Sequence, residues 1–300
     1  MESRSYAGPY DLQRILDFLM ACRSAEPEGE HEPVGDLLWA FRRQFEPERN
    51  IRLWEEAEGL VGFAMVDPEW GMILDQGRSD APRWLRRELV AWGTERLKQA
   101  VGECGGDIEA WVQARENSVA KIAFLEAEGF TRGDSSYVEL LRPLDRPVPQ
   151  PHVPEGFSIR GLAGEWEVPA YVDMHRDAWS VWAPSTYSAE HHLRLMRNPG
   201  YNIDLNPVVV APDSTLVSGC IGWLDPINKI GEIEPLGTRP AYARMGLARA
   251  VSIEVLRRMQ EHGMETALVY GTHVNEPAWD LYQSLGFKRG RTIHNYHRRL

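Results

Sequence analysis

Glu232 and Glu234 stand two residues apart in residues 232–238, a stretch that reads as a strand, so both carboxylates leave one face, the face that also carries Leu236 and Thr238. Two neighbouring carboxyls raise the pKa of at least one, giving a proton acceptor that works nearer neutrality. The strand runs through Arg239-Pro240 into the turn Ala243-Arg244-Met245-Gly246-Leu247-Ala248, which opens a long amphipathic helix. A glycine there lets the backbone approach a ligand, and the first N–H groups of the helix point at whatever anion sits in front of them. Arg244 and Arg249 add positive charge. Further on, Ala278, Leu281, Tyr282 and Leu285 fall at i, i+3, i+4 and i+7, which puts the Tyr282 phenol on a buried stripe where its hydroxyl needs a partner.

The elements that position these residues occur twice. Residues 142–156 contain Pro143, Pro147, Pro149, Pro151 and Pro154, which favours an extended, semi-rigid spacer and divides the chain almost in half. Each half opens with a short strand (3–6; 157–160) and a helix (10–23; 164–179). Three strands follow in each (51–55, 60–66, 71–75; 206–211, 216–224, 229–238), then a helix. That helix carries Leu85, Leu89, Trp92 and Arg96 in the first half and Leu247, Val251, Val255 and Met259 in the second. A strand (108–113; 266–271) and a helix opened near Asn117 or Asn275 and stopped at Gly129 or Gly286 complete each half. The repetition indicates an internal duplication.

The turn and the last helix together resemble those of the GNAT superfamily of N-acetyltransferases. That family's turn reads Arg/Gln-x-x-Gly-x-Gly/Ala, matched here by Gly246 and Ala248 with Ala243 in the leading position. Its last helix is matched by Asn275, Ala278, Leu281, Tyr282, Gly286 and Phe287. The resemblance is strong over 231–290, fair over 157–300 and weak in the first half. It implies an α/β (α+β) fold of two tandem GNAT-like domains, each a mostly antiparallel mixed sheet flanked by helices. The expected division is 1–142 for a degenerate domain, 143–156 for the linker and 157–300 for the catalytic domain. Two such units in one chain is a layout similar to mycothiol synthase, although no substrate-reading motif of that family is found.

The resemblance further implies acetyl-CoA as co-substrate, held by Leu236, Gly237 and Thr238 at the pantetheine arm. Arg244, Met245, Gly246, Leu247, Ala248 and Arg249 would hold its pyrophosphate, with Asn275 both capping the helix and touching the cofactor. An alkyl amine with pKa near 10.4 must lose a proton before it attacks, at a cost of about 4–5 kcal/mol if unaided. The family often places its base four residues before the pantetheine triplet, at Glu232 here, with Glu234 the second candidate. Tyr282 takes the family role of protonating the departing thiolate. The expected reaction is transfer of acetyl to a primary amine of a small molecule by direct attack. Two readings of other classes stay open: an acyl-CoA-binding or regulatory module without turnover, and a tandem aminoacyl transferase using charged tRNA.

The first half lacks these parts. Its turn is Asp80-Ala81-Pro82-Arg83-Trp84-Leu85, without glycine, and Leu125 stands where the second half has Tyr282. The acceptor site is expected where the second half's first helices cover the cleft. His175, Trp179, Trp182, Tyr187, His191, His192 and Trp223 lie there, with Asp173 and Asp177 interleaved, aromatic and acidic surroundings that suit a small cationic amine. A net charge of −11 over 300 residues argues against a nucleic-acid partner. No run approaches a membrane span and residues 1–5 are polar, so a cytoplasmic monomer or homodimer is expected. Cys22, Cys104 and Cys220 fit neither a disulfide framework nor a zinc site, and no metal is expected.

Overall fold

In the computed structural model the strand and helix patterns of the two halves fold into the same order of elements twice, apart from one extra short helix in the first half. The structure describes residues 1–43, 45–104, 108–182, 184–272 and 275–300, with residues 101, 103 and 104 described by backbone alone. The Cys104 side chain therefore lies outside the described residues, while Cys22 and Cys220 are buried free thiols.

The first half runs β1 (Glu2–Ser5), α1 (Pro9–Ala25), α2 (Val34–Ala40), α3 (Pro47–Asn50), β2 (Ile51–Glu56), β3 (Gly59–Asp67), β4 (Met72–Gly77), α4 (Arg83–Cys104), β5 (Glu109–Arg115), α5 (Val119–Ala127) and β6 (Thr131–Pro143). The second runs β7 (Ser158–Gly161), α6 (Val168–Trp179), α7 (Ala189–Met196), β8 (Pro207–Val210), β9 (Leu216–Asp225), β10 (Ile230–Thr238), α8 (Leu247–Glu261), β11 (Thr266–Thr272), α9 (Glu276–Ser284) and β12 (Lys288–Arg299). Alternation and helical stripes anticipated most of these, whereas the short helices α2 and α7 and the closing strands β6 and β12 carry weaker periodic signals.

Two compact units form, and neither is one continuous stretch. The first comprises Met1–Glu32, Phe45–Glu139 and Arg291–Leu300, the second Pro33–Gln44 and Leu140–Gly290. Residues 33–44, which a division at the proline-rich stretch assigns to the first domain, thus cluster with the second unit, and 291–300 with the first. Leu37 and Leu38 of α2 are fully buried, and α2 packs on β9 and β10. The end of β12 pairs antiparallel with β5, from Ile293 opposite Arg115 to Arg299 opposite Glu109.

In the first unit the strand order is β1-β2-β3-β4-β5-β12, and in the second β7-β8-β9-β10-β11. Neighbours are antiparallel except for one parallel pair in each. Strands β4 and β5 meet only at Met72/Trp111 and Ile73/Val112. Strands β10 and β11 meet at Ile230/Thr266, Gly231/Ala267 and Glu232/Leu268, and then part. The core of the second unit gathers Val251, Val255, Leu256 and Met259 of α8 against Val217, Cys220 and Ile233 of the sheet, with Tyr282, Leu285 and Phe287 beyond. Leu144 and Val148 belong to this core, and Gln260 Nε2 donates to the carbonyls of Leu144 (2.8 Å) and Arg146 (2.9 Å). The proline-rich stretch is extended, as its composition predicts, but it is packed down on the second unit and is not a free spacer.

Where β4 and β5 part, side chains of the first unit fill the gap. Lys121 Nζ, only 4% exposed, lies 2.9 Å from Asp75 Oδ1 and 3.3 Å from Glu30 Oε2. Glu30 Oε1 accepts the Arg115 N–H at 2.5 Å, and the Arg115 guanidinium reaches Glu139 at 3.3 Å. Burial pulls the Lys121 ammonium's pKa down, but Asp75 and Glu30 outweigh it and hold it raised. Truncating one member of such a group leaves buried charge without a counter-ion. Lys121→Ala is therefore expected to destabilise the protein by about 3–5 kcal/mol, read as a lower urea midpoint; a loss under about 1 kcal/mol would show that water already screens the pair.

Candidate active site

Helix α8 forms because its apolar residues recur on one face, and it starts where Gly246, at φ 80°, turns the chain into it. Arg244 also takes a left-handed conformation, φ 64°, which costs a non-glycine residue about 1–2 kcal/mol. Backbone bonding lapses across this turn: it stops at Ala243 N–H to Pro240 O and resumes at Ala250 N–H to Gly246 O. Among the described residues, none of the N–H groups of 244–249 has an acceptor. Arg249 is pinned by the Ser284 hydroxyl (2.6 Å) and carbonyl (3.0 Å). A third cation escaped the sequence reading. Arg142, at the end of β6, has its pKa lowered by burial and then by the charge of Arg249. Two guanidiniums that repel each other beside a run of open N–H groups fit a pyrophosphate.

The strand before the turn differs from expectation in one respect. Its register against β9 shifts between Ile233/Gly222 and Leu236/Cys220, an extra residue that breaks the alternation. Leu236 consequently packs on the same core as Ile233, so it does not share the carboxylates' face as strict alternation required. The bulge also leaves Leu236, Gly237 and Thr238 beyond the last β10–β11 pair. The two carboxylates end in different surroundings. Glu232 is 3% exposed, and its Oε2 accepts the Gly35 N–H of α2 at 2.9 Å. Glu234 is partly buried, its carbonyl fixed by the Trp223 indole N–H at 2.6 Å. Burial, followed by the charge of Asp36, pushes the Glu234 carboxyl up to about 8, against a smaller opposing effect of Arg42.

Tyr282 is buried on α9, edge-on to Phe287 with ring centroids 5.7 Å apart. Its phenol pKa is raised well above the usual value by burial, then by the negative charge of Glu234 and by Cys220. No described group hydrogen-bonds its hydroxyl. Asn275 caps α9 as expected, its Oδ1 accepting the Ala278 N–H at 3.3 Å.

The expected acceptor residues divide. His175, Trp179 and Tyr187 converge: the His175 ring stacks on Trp179 at 4.0 Å and 6° and lies 4.3 Å from Tyr187. Tyr187 Oη bonds His192 Nδ1 at 2.7 Å, and Trp39 of α2 closes the group against both His175 and Tyr187. Burial first, then Arg42 and His192, lowers the His175 pKa to about 3, so this imidazole is neutral and both its buried nitrogens lack partners. Trp223 is fully buried under the carboxylates, and Trp179 lies on Gly237, where a Cβ would run into its ring. Trp182 is 62% exposed and stands outside the cluster. Asp173 and Asp177 are both engaged by Arg239, at 2.5 and 3.1 Å, so they are not available to an amine in the way their spacing suggested.

A splayed parallel pair, a bulge, an open helix start and a buried phenol thus all lie in the second unit. Residues 168–287 match the model of the acetyltransferase (GNAT) family. Along nearly its whole length the chain is similar to proteins named mycothiol acetyltransferase. It is 25% identical to the one from Thermobispora bispora over 94% of each chain, and 26% identical to the one from Salinispora arenicola over 96% of this chain and 94% of that one. Among solved structures, the GCN5-related N-acetyltransferase from Sphaerobacter thermophilus has a TM-score of 0.69 at 18% identity, covering 99% of this chain and 95% of its own. A tandem GNAT protein from the clavulanic acid biosynthesis pathway has a TM-score of 0.70 at 15% identity, with 99% and 98% covered. The fold is that of two tandem GNAT domains. No described helix is long and apolar enough to cross a membrane.

A Cβ at Gly246 would meet nothing within 4 Å, so Gly246→Ala acts through its backbone angle and through the ligand's space alone. It is expected to cost about 1–2 kcal/mol of stability, read as a lower urea midpoint, and to weaken acetyl-CoA binding about tenfold, roughly one lost charge-assisted bond, read by calorimetric titration.

Proposed function

We propose that the protein is an acetyl-CoA-dependent N-acetyltransferase acting on a primary amine of a small molecule, with its site in the second unit. The observation that carries this reading is the run of N–H groups at 244–249 without acceptors at the start of α8, together with a strand edge at 236–238 beyond the last β10–β11 pair; the raised carboxyl of Glu234, whose charge acts on the buried Tyr282, supplies the acid–base pair. The open N–H groups of 244–249, with Arg142 and Arg249, would hold the pyrophosphate of acetyl-CoA, and the edge of β10 at 236–238 its pantetheine arm. Bound there, acetyl-CoA supplies a thioester whose sulfur leaves as a thiolate.

Glu234 takes a proton from the acceptor's ammonium. From an ammonium of pKa near 10.4 to a carboxylate near 8 the transfer is uphill by about 3 kcal/mol, against about 8 kcal/mol to an ordinary glutamate. Tyr282 Oη, held protonated by burial and by the ionised Glu234, gives its proton to the leaving sulfur. When Glu234 becomes protonated, the charge that resists ionisation of Tyr282 disappears, so the first proton movement eases the second. Glu232, buried and bonded to Gly35, is the positioning partner in this reading, and Glu234 replaces it as the base. The first unit, with Lys121 in the equivalent cleft, is non-catalytic.

Turnover measured as thiol release with a panel of amines, mycothiol-related acceptors first because the similar proteins bear that name, tests the reading. Since only the ionised carboxylate accepts a proton, kcat/KM should rise with pH to a midpoint near 8. Glu234→Gln and Tyr282→Phe should each lower kcat by about 10²–10⁴ while binding acetyl-CoA normally, and Glu232→Gln by less than about tenfold. Full turnover by Glu234→Gln would remove the base, and binding of acetyl-CoA without turnover of any amine would favour a binding module.

A further inference from the structure

We propose that residues 33–43, drawn from the first half of the sequence, are a working part of this site: Gly35 fixes Glu232, and Asp36 and Arg42, on the helix that lies on β10 and just beyond its end, set the charge against which Glu234 takes its proton. The proposal rests on Glu234 as the base and extends it to the groups that tune it.

The segment is held at both ends. At its start the Gly35 N–H donates to Glu232 Oε2 at 2.9 Å. Only glycine fits this position, because a Cβ would collide with the Glu232 carboxylate and with the Trp223 ring. Four residues on, Trp39 lies against His175 (5.8 Å between ring centroids) and Tyr187 (5.3 Å), and the Arg42 guanidinium sits 4.1 Å over the Trp39 ring. Asp36 thus stands in the first turn of a short, pinned helix lying on β9 and β10, and Arg42 just beyond its end.

The titratable and charged groups on β10 and on the helices around it can be named element by element. Strand β10 itself contributes Glu232, already bonded to Gly35. Helix α9 contributes Tyr282, protonated. Helix α6 contributes His175, neutral, and Asp173 and Asp177, both paired with Arg239. Helix α8 meets the sheet with Val251, Val255 and Met259. Burial raises the Glu234 pKa most; of the specific charges, Asp36 raises it and Arg42 lowers it. A segment carrying both signs is an adjustable setting for one carboxyl, and both belong to a part of the chain that the family domain at 168–287 does not include.

The experiment is a carbon-13 NMR titration of the Glu234 carboxyl in the full-length protein, its resonance assigned by loss in Glu234→Gln, with the pH dependence of kcat/KM run in parallel. The wild-type midpoint should lie near 8. Asp36→Asn should move it down, and Arg42→Met up, each by about 0.5–1 unit, with the kinetic limb following. A loosened fold moves both variants the same way, so opposite shifts distinguish tuning from damage. If Asp36→Asn does not fold, Arg42→Met alone decides by its sign. Unmoved midpoints, or shifts in one direction, overturn the proposal. Opposite shifts together with full turnover by Glu234→Gln would leave the tuning intact and remove Glu234 as base.

Discussion

A parallel strand pair that separates after two or three residues leaves backbone N–H and C=O groups facing a gap, and buried groups of that kind must find partners. Both units are built around this constraint. In the first, the pair parts after Ile73/Val112, and Glu30 enters to take the Arg115 N–H while Lys121 spans Glu30 and Asp75. In the second, the pair parts after Glu232/Leu268, and a bulge carries 236–238 past the last pairing. One unit fills its gap with its own side chains; in the other, 236–238 run on past the last pairing with β11.

The rest of the second unit is arranged around that gap. The bulge redirects Leu236 into the core, which anchors the parted strand against α8 and holds its edge in place. The strand then ends close to the start of α8, where Gly246 permits a turn whose N–H groups stay open. On the opposite face Trp179 lies on Gly237 and Trp223 fixes the Glu234 carbonyl, so the strand is braced by two indoles where it has lost a neighbour. Rigid bracing of this kind is what allows a carboxyl and a phenol to keep their relation.

Much of this was legible in the sequence because its signals are local. Periodicity located the strands and long helices, Asn275 announced its cap, Gly246 its turn, and the spacing around Tyr282 its burial. What escaped notice is non-local. Nothing within 33–44 announces that Gly35 will meet Glu232, since the reason is a collision with a side chain 197 positions away. A bulge inverts the face of every residue after it without altering composition, so strict alternation misplaced Leu236. Asp173 and Asp177 looked available at helical spacing, but the Arg239 that claims them comes from the end of β10. Arg142 gains its meaning only from Arg249, on another element.

The two units also differ at one position of the closing helix and in the surroundings of one carboxyl. Asp75 and Glu234 each stand two residues past the last parallel pair, at Ile73 and Glu232. Counted back from Phe130 and Phe287, the residue on the closing helix is Lys121 in the first unit and Ala278 in the second. With lysine there, the carboxylate has a counter-ion 2.9 Å away and the gap is sealed by charge. With alanine there, the gap stays open and no cation stands in the lysine's place on that helix; burial and Asp36 then keep the proton on Glu234 up to about pH 8. A lysine at 278 would stand at the position of Lys121 in the first unit, whose ammonium pairs with Asp75 at 2.9 Å.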